Sequence, residues 1–250
     1  MKVVILAGGL GSRLSEETRS IPKPLVKIGK IPILIHIMNI YSYYGLKDFI
    51  ICTGYKNRLI NEYFHRMKST HIVKSSKKIT EFYDIRKKWN IKCVYTGLKT
   101  NTGGRISKLK NIIGNNSFCA TYGDGLAKIN INELIKNHKL KKTVCTLTAV
   151  KPPARFGVLK FNKTKVSEFK EKIDNKDVWI NGGFFVFSSE IFNYIKNSNS
   201  TLEKDVLEKL VKNKNLNGYK LKEFWHPMDT LRDKINLNKL YKKKKAPWVK

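Results

Sequence analysis

Three groups of residues have the types and spacing that phosphate chemistry needs. The first is Gly8-Gly9-Leu10-Gly11-Ser12-Arg13, directly after the apolar run Val3–Ala7. Glycines let backbone N–H groups come close to an anion, and a helix opening behind them would add the positive end of its dipole. Arg13 closes this turn and Lys23 follows between Pro22 and Pro24. Two cations beside a backbone cradle suit a triphosphate. The spacing is not a dinucleotide fingerprint, because Leu14 stands where a third glycine would be needed. It is not a Walker A loop either, because Gly-Lys-Ser/Thr is missing. The second group is Asp124 in Thr121-Tyr122-Gly123-Asp124-Gly125. A carboxylate at the carboxyl end of a strand reads as a Mg²⁺ ligand, since Mg²⁺ takes one or two protein carboxylates plus phosphates. A plain turn aspartate is the alternative. The third is Asp229 in His226-Pro227-Met228-Asp229-Thr230. It could equally cap a helix from Thr230 onward, and it gains weight by pairing with Asp124.

The elements that must position these groups alternate. Val3–Ala7 reads as a buried strand and Ile33–Tyr44 as a helix stopped at Gly45. Asp48–Thr53 reads as a strand, Leu59–Met67 as a helix and Phe118–Thr121 as a strand. Asn132–His138 is a short helix and Thr143–Val150 a strand. Such alternation predicts an α/β fold, a Rossmann-like mixed, mainly parallel sheet flanked by helices. After Pro152-Pro153 the character changes. Gly157–Phe161, Lys165–Glu171 and Gly183–Phe187 read as short strands, and Thr201–Lys212 and Asn236–Lys244 as helices. The expected organisation is a single domain over residues 1–250, with a nucleotide-binding core in 1–150 and a smaller sugar-binding and C-terminal lobe in 151–250. Lys68–Lys88 is polar, Lys-rich and poorly periodic, and reads as a surface excursion or an oligomer contact.

With 250 residues, 41% of them hydrophobic, the chain is long enough for a full core. It holds no apolar run of membrane-spanning length and no signal-peptide pattern at its start, so a cytoplasmic protein without a membrane partner is expected. The net charge is +31, from 50 basic and 19 acidic residues. Of the basic residues 42 are Lys and only 8 are Arg, scattered apart from Lys242–Lys245. Nucleic-acid readers concentrate Arg for bidentate contacts, so this charge reads mainly as compositional and no nucleic-acid partner is expected. Cys52, Cys93, Cys119 and Cys145 lack metal-ligand spacing and read as buried thiols. His36 reads as core or interface; His65, His71 and His138 read as surface. Tyr41, Tyr43 and Tyr44 read as core or subunit contact.

Taken together, the three groups resemble the sugar-nucleotide pyrophosphorylases, the nucleotidyltransferases that join an NTP to a sugar 1-phosphate. Leu6-Ala7-Gly8-Gly9-Leu10-Gly11-Ser12-Arg13-Leu14 is close to that family's L-A-G-G-x-G-[ST]-R-L signature, and Ile21-Pro22-Lys23-Pro24 matches the element that follows it. Ser15–Thr18, His36–Met38, Thr102–Arg105, Thr121–Gly125, Asn181–Phe185, Pro227–Lys234 and Lys245–Trp248 are similar to its cytidylyl branch. The resemblance spans nearly the whole chain, Lys68–Lys88 being the main stretch outside it. Ser12 replaces the usual Thr, and Ile173 replaces the Pro of a Glu-Lys-Pro element.

The resemblance implies that CTP and glucose 1-phosphate are converted to CDP-glucose and pyrophosphate with Mg²⁺; the alternative is another sugar 1-phosphate or another NTP (UTP or dTTP). It implies a homo-oligomer, a hexamer in particular, and a place in bacterial surface polysaccharide (O-antigen) synthesis. Motif by motif, Leu6, Ala7, Gly8, Gly9, Leu10, Gly11, Ser12 and Arg13 would hold the nucleotide, and Lys23 would meet its triphosphate. Thr100 and Arg105 would complete the cytidine pocket, with Gly123 beside the ribose. Asp124 and Asp229 would share the Mg²⁺. Glu171 would bind sugar hydroxyls, Lys172 the sugar phosphate and Asn181 the sugar ring. The catalytic set implied is Arg13, Lys23, Asp124 and Asp229.

Overall fold

The first strand shows how the core is divided. Lys2–Ala7 (β1) has period-two side chains that serve two layers: Val3, Ile5 and Ala7 enter one core cluster and Val4 the other. Asp48–Thr53 (β2) does the same, with Phe49 and Ile51 on one side and Ile50 and Cys52 on the other. Both faces being covered, these strands are near-continuous apolar runs. The computed structural model describes residues 1–152, 158–162, 164–170 and 178–249.

The helix Ile33–Tyr43 (α1) is apolar almost all round. Eight of its residues, Ile33 to Met38 with Ile40 and Tyr41, are buried, as expected of a helix enclosed on all sides. Asn57–His65 (α2) buries only Ile60 and Phe64. The hairpin Thr70–Ser75 (β3) and Ile79–Asp84 (β4) then leads into Trp89–Tyr95 (β5). A short helix, Thr102–Ser107 (α3), precedes Phe118–Tyr122 (β6), and Gly125–Ala127 (β7) follows it. Ile131–Lys141 (α4) and Cys145–Val150 (β8) complete the first part. Val158–Asn162 (β9) and Lys165–Lys170 (β10) form a separate antiparallel pair, and Ile180–Phe187 (β11) returns to the main sheet. Residues 202–212 (α5) are helical, π-wound over Leu202–Leu207 and α-helical over Glu208–Lys212. Leu216–Leu221 (β12), Trp225–Pro227 (β13) and Leu231–Lys242 (α6) end the chain.

The main sheet has nine strands in the order β12-β8-β11-β6-β1-β2-β5-β4-β3. Its centre, β6-β1-β2-β5, is parallel, and β11 and β4 enter antiparallel on the two sides. The α/β reading holds. The chain runs outward from β1 through β2 to β5 and returns to β6 on the other side of β1, so the strand order reverses between β1 and β6. Ligand crevices of open α/β sheets lie at the carboxyl ends of strands at such a reversal.

Several elements differ from their sequence expectation. Lys68–Lys88, read as a surface excursion or an oligomer contact, is regular despite its poor periodicity: β3 and β4 pair and extend the sheet, and β3 forms an edge with Ile72 and Val73 exposed. His138 is buried, not on the surface, because it lies on the inner side of α4 with Nδ1 3.1 Å from Thr146 Oγ1. The last helix begins at Leu231, five residues before the position read from sequence, because Thr230 and Asp233 form a capping box there. The turn after β1 is followed by a 3₁₀ turn, Ser12–Leu14, and four α-helical residues, Ser15–Thr18, not by a helix long enough to lend a dipole.

His36 is buried and its tautomer is set by two neighbours. The Trp248 indole donates to Nδ1 at 3.2 Å, so Nε2 carries the proton and donates to the Ile28 carbonyl at 3.0 Å. Burial holds this imidazole below its ordinary value. All four cysteines are buried thiols, and burial pushes Cys52 and Cys119 up to about 12. Among the described residues no helix is long and apolar enough to cross a membrane.

Candidate active site

A cleft of about 410 Å³ opens at the carboxyl ends of β1 and β6. Leu6, Ala7, Gly8, Gly9, Gly11, Ser12, Arg13, Lys23, Thr100, Arg105, Gly123, Asp124 and Asp229 all line it. Every residue expected on the nucleotide side is therefore here except Leu10, which is 59% exposed and does not line the cleft.

Its charged centre is Lys23. The ammonium donates to Asp124 Oδ2 at 2.6 Å and to Asp229 Oδ1 at 2.8 Å, while Arg13 Nη1 donates to Asp229 Oδ2 at 3.1 Å. Burial alone would lower the Lys23 value, but the two carboxylates outweigh it and hold it above the ordinary lysine value. Asp124 and Asp229 are far apart in sequence and meet through a short ladder. Trp225, His226 and Pro227 of β13 pair with Ala127, Leu126 and Gly125 of β7, and the Met228 N–H donates to the Asp124 carbonyl at 2.8 Å. Thr230, not Asp229, supplies the helix cap, which leaves the Asp229 side chain directed at Lys23.

Two carboxylates aimed at a single cation form a hard oxygen donor set. Among the described residues no cluster of three or more His, Cys, Asp or Glu accompanies them. That fits Mg²⁺, which takes its remaining ligands from phosphates and water, and does not fit a cage made wholly of protein.

Arg105 lies beneath the glycine turn. Its Nη2 donates to the Gly8 carbonyl at 2.9 Å, and Nη1 donates to the Gly97 carbonyl at 2.9 Å, the Thr53 carbonyl at 3.2 Å and Thr96 Oγ1 at 2.6 Å. A side chain on Gly8 would collide with this guanidinium, since a β-carbon there would lie 2.1 Å from Nη1. Gly8 is thus required by close approach. Arg105 still borders the cleft, but both its Nη groups are engaged by backbone carbonyls and the Thr96 hydroxyl, so its first role is to hold the turn. Burial lowers its value from that of a free arginine. Thr100 donates to the Thr96 carbonyl at 2.7 Å, and Lys108 braces the same loop through that carbonyl at 2.7 Å.

A second cavity, about 250 Å³, adjoins the first and shares Arg13, Tyr122, Asp124 and Asp229 with it. Asn181, Gly182, Gly183 and Trp225 form its other side. Asn181, the expected sugar-side residue, is here. Glu171 and Lys172, the other two, lie outside the described residues, as does Ile173. Sequence reasoning missed Tyr122 and Trp225 as wall residues. Tyr122 carried a signal, being the last residue of β6 before Gly123-Asp124. Trp225 carried none, since β13 has only three residues.

Residues 2–244 match the model of the family described as "Nucleotidyl transferase". The chain is 44% identical over 253 residues to the glucose-1-phosphate cytidylyltransferase of Salmonella typhimurium, covering 99% of this chain and 98% of that one. The same figures hold for the protein of that name from Salmonella typhi. Among solved structures, UDP-glucose pyrophosphorylase complexed with UDP-glucose superposes with a TM-score of 0.71 at 19% identity, covering 97% of this chain and 98% of that one. That last likeness speaks for the fold.

Proposed function

The chain belongs to the nucleotidyl transferase family, and from that membership we propose that it makes CDP-glucose and pyrophosphate from CTP and glucose 1-phosphate. The observation that carries the reaction class is the Lys23 ammonium gripped by Asp124 and Asp229 at the mouth of the glycine turn. The choice of CTP and glucose 1-phosphate rests on the full-length similarity to the two Salmonella enzymes.

A phosphate oxygen of glucose 1-phosphate attacks the α-phosphorus of CTP. The bond to pyrophosphate breaks in line, and its electron pair leaves with the pyrophosphate. The attacking phosphate is already anionic near neutral pH, so neither a protein nucleophile nor a strong general base is needed. The residues act by position and charge. The backbone from Leu6 to Ser12 and the Arg105-braced loop hold the nucleotide, and Gly123 lies at its ribose. Arg13 and Lys23 neutralise the leaving pyrophosphate. Asp124 and Asp229 would hold Mg²⁺, which when bound would offset charge on the phosphate oxygens. Asn181 meets the sugar in the smaller cavity, and the reading places Glu171 and Lys172 with it, on the sugar hydroxyls and the attacking phosphate respectively.

The test is pyrophosphate release from CTP, UTP, dTTP, GTP and ATP, each with glucose 1-phosphate and Mg²⁺. Release with CTP at a kcat/KM at least about tenfold above every other NTP is expected, a lower bound set by the loss of one hydrogen bond to the base. Release that favours another NTP would keep the chemistry and overturn the base assignment.

We further infer self-association. The edge strand β3 presents Ile72 and Val73 to solvent at the end of the nine-stranded sheet, and an apolar exposed edge is a pairing surface unless it is covered. Light scattering is expected to give a particle mass that is a multiple of the 28.9 kDa chain. A monomer at micromolar concentration would refute this.

A further inference from the structure

The two cavities share four residues, and the aromatic one among them is Tyr122. Its hydroxyl donates to Glu203 Oε1 at 2.5 Å, and the Asn181 amide donates to the same phenol oxygen at 3.3 Å. The ring meets Phe185 edge-on, and it lies so close to Gly183 that a β-carbon there would sit 2.5 Å from it. Gly183 also has φ +75°, which a side chain would strain, so glycine is required twice over. The tyrosine is thereby fixed as a partition.

Glu203 lines neither cavity. It is the second residue of α5, in the π-wound stretch Leu202–Leu207, and π turns recur at functional sites. Its other oxygen, Oε2, accepts from Thr102 Oγ1 at 3.0 Å; that hydroxyl in turn accepts from the Leu202 N–H at 2.8 Å. Thr102 borders the larger cleft. One exposed carboxylate thus grips a residue of the nucleotide cleft with one oxygen and the partition with the other.

The direction of these bonds decides what the partition offers. An ionised carboxylate only accepts, so the Tyr122 proton points to Glu203. Asn181 Oδ1 accepts from the Gly183 N–H at 2.9 Å, which fixes the amide with its NH₂ toward the phenol. With its own proton committed, the phenol oxygen can serve a ligand only as an acceptor, and its complement is a hydroxyl donor.

We propose that Glu203 is a positioning residue that fixes the Tyr122 hydroxyl as the acceptor for a sugar hydroxyl of the hexose 1-phosphate. This rests on the reading of the smaller cavity as the sugar side of a nucleotidyl transfer site.

Steady-state kinetics with CTP and glucose 1-phosphate would compare wild type, Glu203→Ala, Glu203→Gln, Tyr122→Phe and the double variant Tyr122→Phe/Glu203→Ala. Glu203 is exposed, so its truncation opens no cavity in the core. Glu203→Ala and Tyr122→Phe are each expected to raise KM for glucose 1-phosphate about tenfold, the scale of one lost hydrogen bond. KM for CTP and kcat should stay within about threefold of wild type. The double variant should be no worse than the worse single one, since both remove the same bond. Glu203→Gln, which can still accept from the phenol, should recover most of the loss. Equal rises in both KM values, unchanged KM values, or multiplied effects in the double variant would overturn the proposal alone. A wild-type protein without turnover would overturn the underlying reading and the proposal with it.

Discussion

Asp124→Ala and Asp229→Ala are each expected to lower kcat by at least about 100-fold, the scale on which one preorganised electrostatic element counts in a charged transition state. Both carboxylates converge on Lys23, with Nζ to oxygen distances of 2.6 and 2.8 Å. Removing one therefore does two things: it takes away half of the hard donor set that suits Mg²⁺, and it unbalances the lysine that the proposed reaction sets against the leaving pyrophosphate. Asp124→Asn separates these from a loss of shape, since it keeps the size and removes the charge. It should be nearly as inactive as Asp124→Ala while melting close to wild type. Turnover within about tenfold of wild type in either alanine variant would falsify the assignment of the pair.

Arg105→Met is expected to weaken both stability and CTP use. Methionine keeps much of the stem, but the donors to the Gly8, Gly97 and Thr53 carbonyls are lost. Some of these acceptors keep a second partner, as the Thr53 carbonyl does with the Thr96 N–H at 2.9 Å. The cost is therefore well below a sum of orphaned groups, about 3 kcal/mol in total. For a chain of this size that lowers Tm by roughly 6–12 °C. The larger effect is kinetic. Without its brace the glycine turn is free to shift, and a displacement of about 1 Å at a positioning element costs on the order of 100-fold. The measurement is kcat/KM for CTP beside a thermal melt. A melt lowered as expected with unchanged CTP kinetics would show that Arg105 supports the fold and not the turn. Arg105→Lys should not restore either quantity, because one ammonium cannot span carbonyls on three separate segments.

Much of the site was legible because it is local. The glycine turn, Arg13, Lys23 and Asp124 sit where an apolar strand gives way to small and charged residues, and the chain-order alternation told which ends of the strands they share. The meeting of Asp124 with Asp229 was not legible from periodicity. The ladder that joins them has three residues on each side, too short to show a period, and only the motif around Asp229 suggested a partner. The hairpin of β3 and β4 was hidden for a different reason: β3 is exposed on both faces, so its mixed polar and apolar residues gave no inside and outside to read. Trp89–Tyr95 does alternate in burial, but its interleaved Asn and Lys lowered the apolar signal. His138 misled because a polar residue among lysines reads as surface, while the helix turns that one position toward Thr146. Tyr122 and Glu203 show the limit most plainly. Tyr122 was marked only by its place before Gly123-Asp124 and Glu203 by nothing, and what joins them is a contact between distant segments.

The ladder between Gly125–Ala127 and Trp225–Pro227 also has a meaning in time. A ribosome releases the chain from its N-terminus, and most of the large sheet can pair before the last strand of that ladder exists. The glycine turn, Lys23 and Asp124 can then be in place while their second carboxylate is still being synthesised. The proposed reacting centre is completed only once residue 229 has been added and Trp225–Pro227 has paired with Gly125–Ala127, so a chain terminated before that ladder lacks the second carboxylate at Lys23.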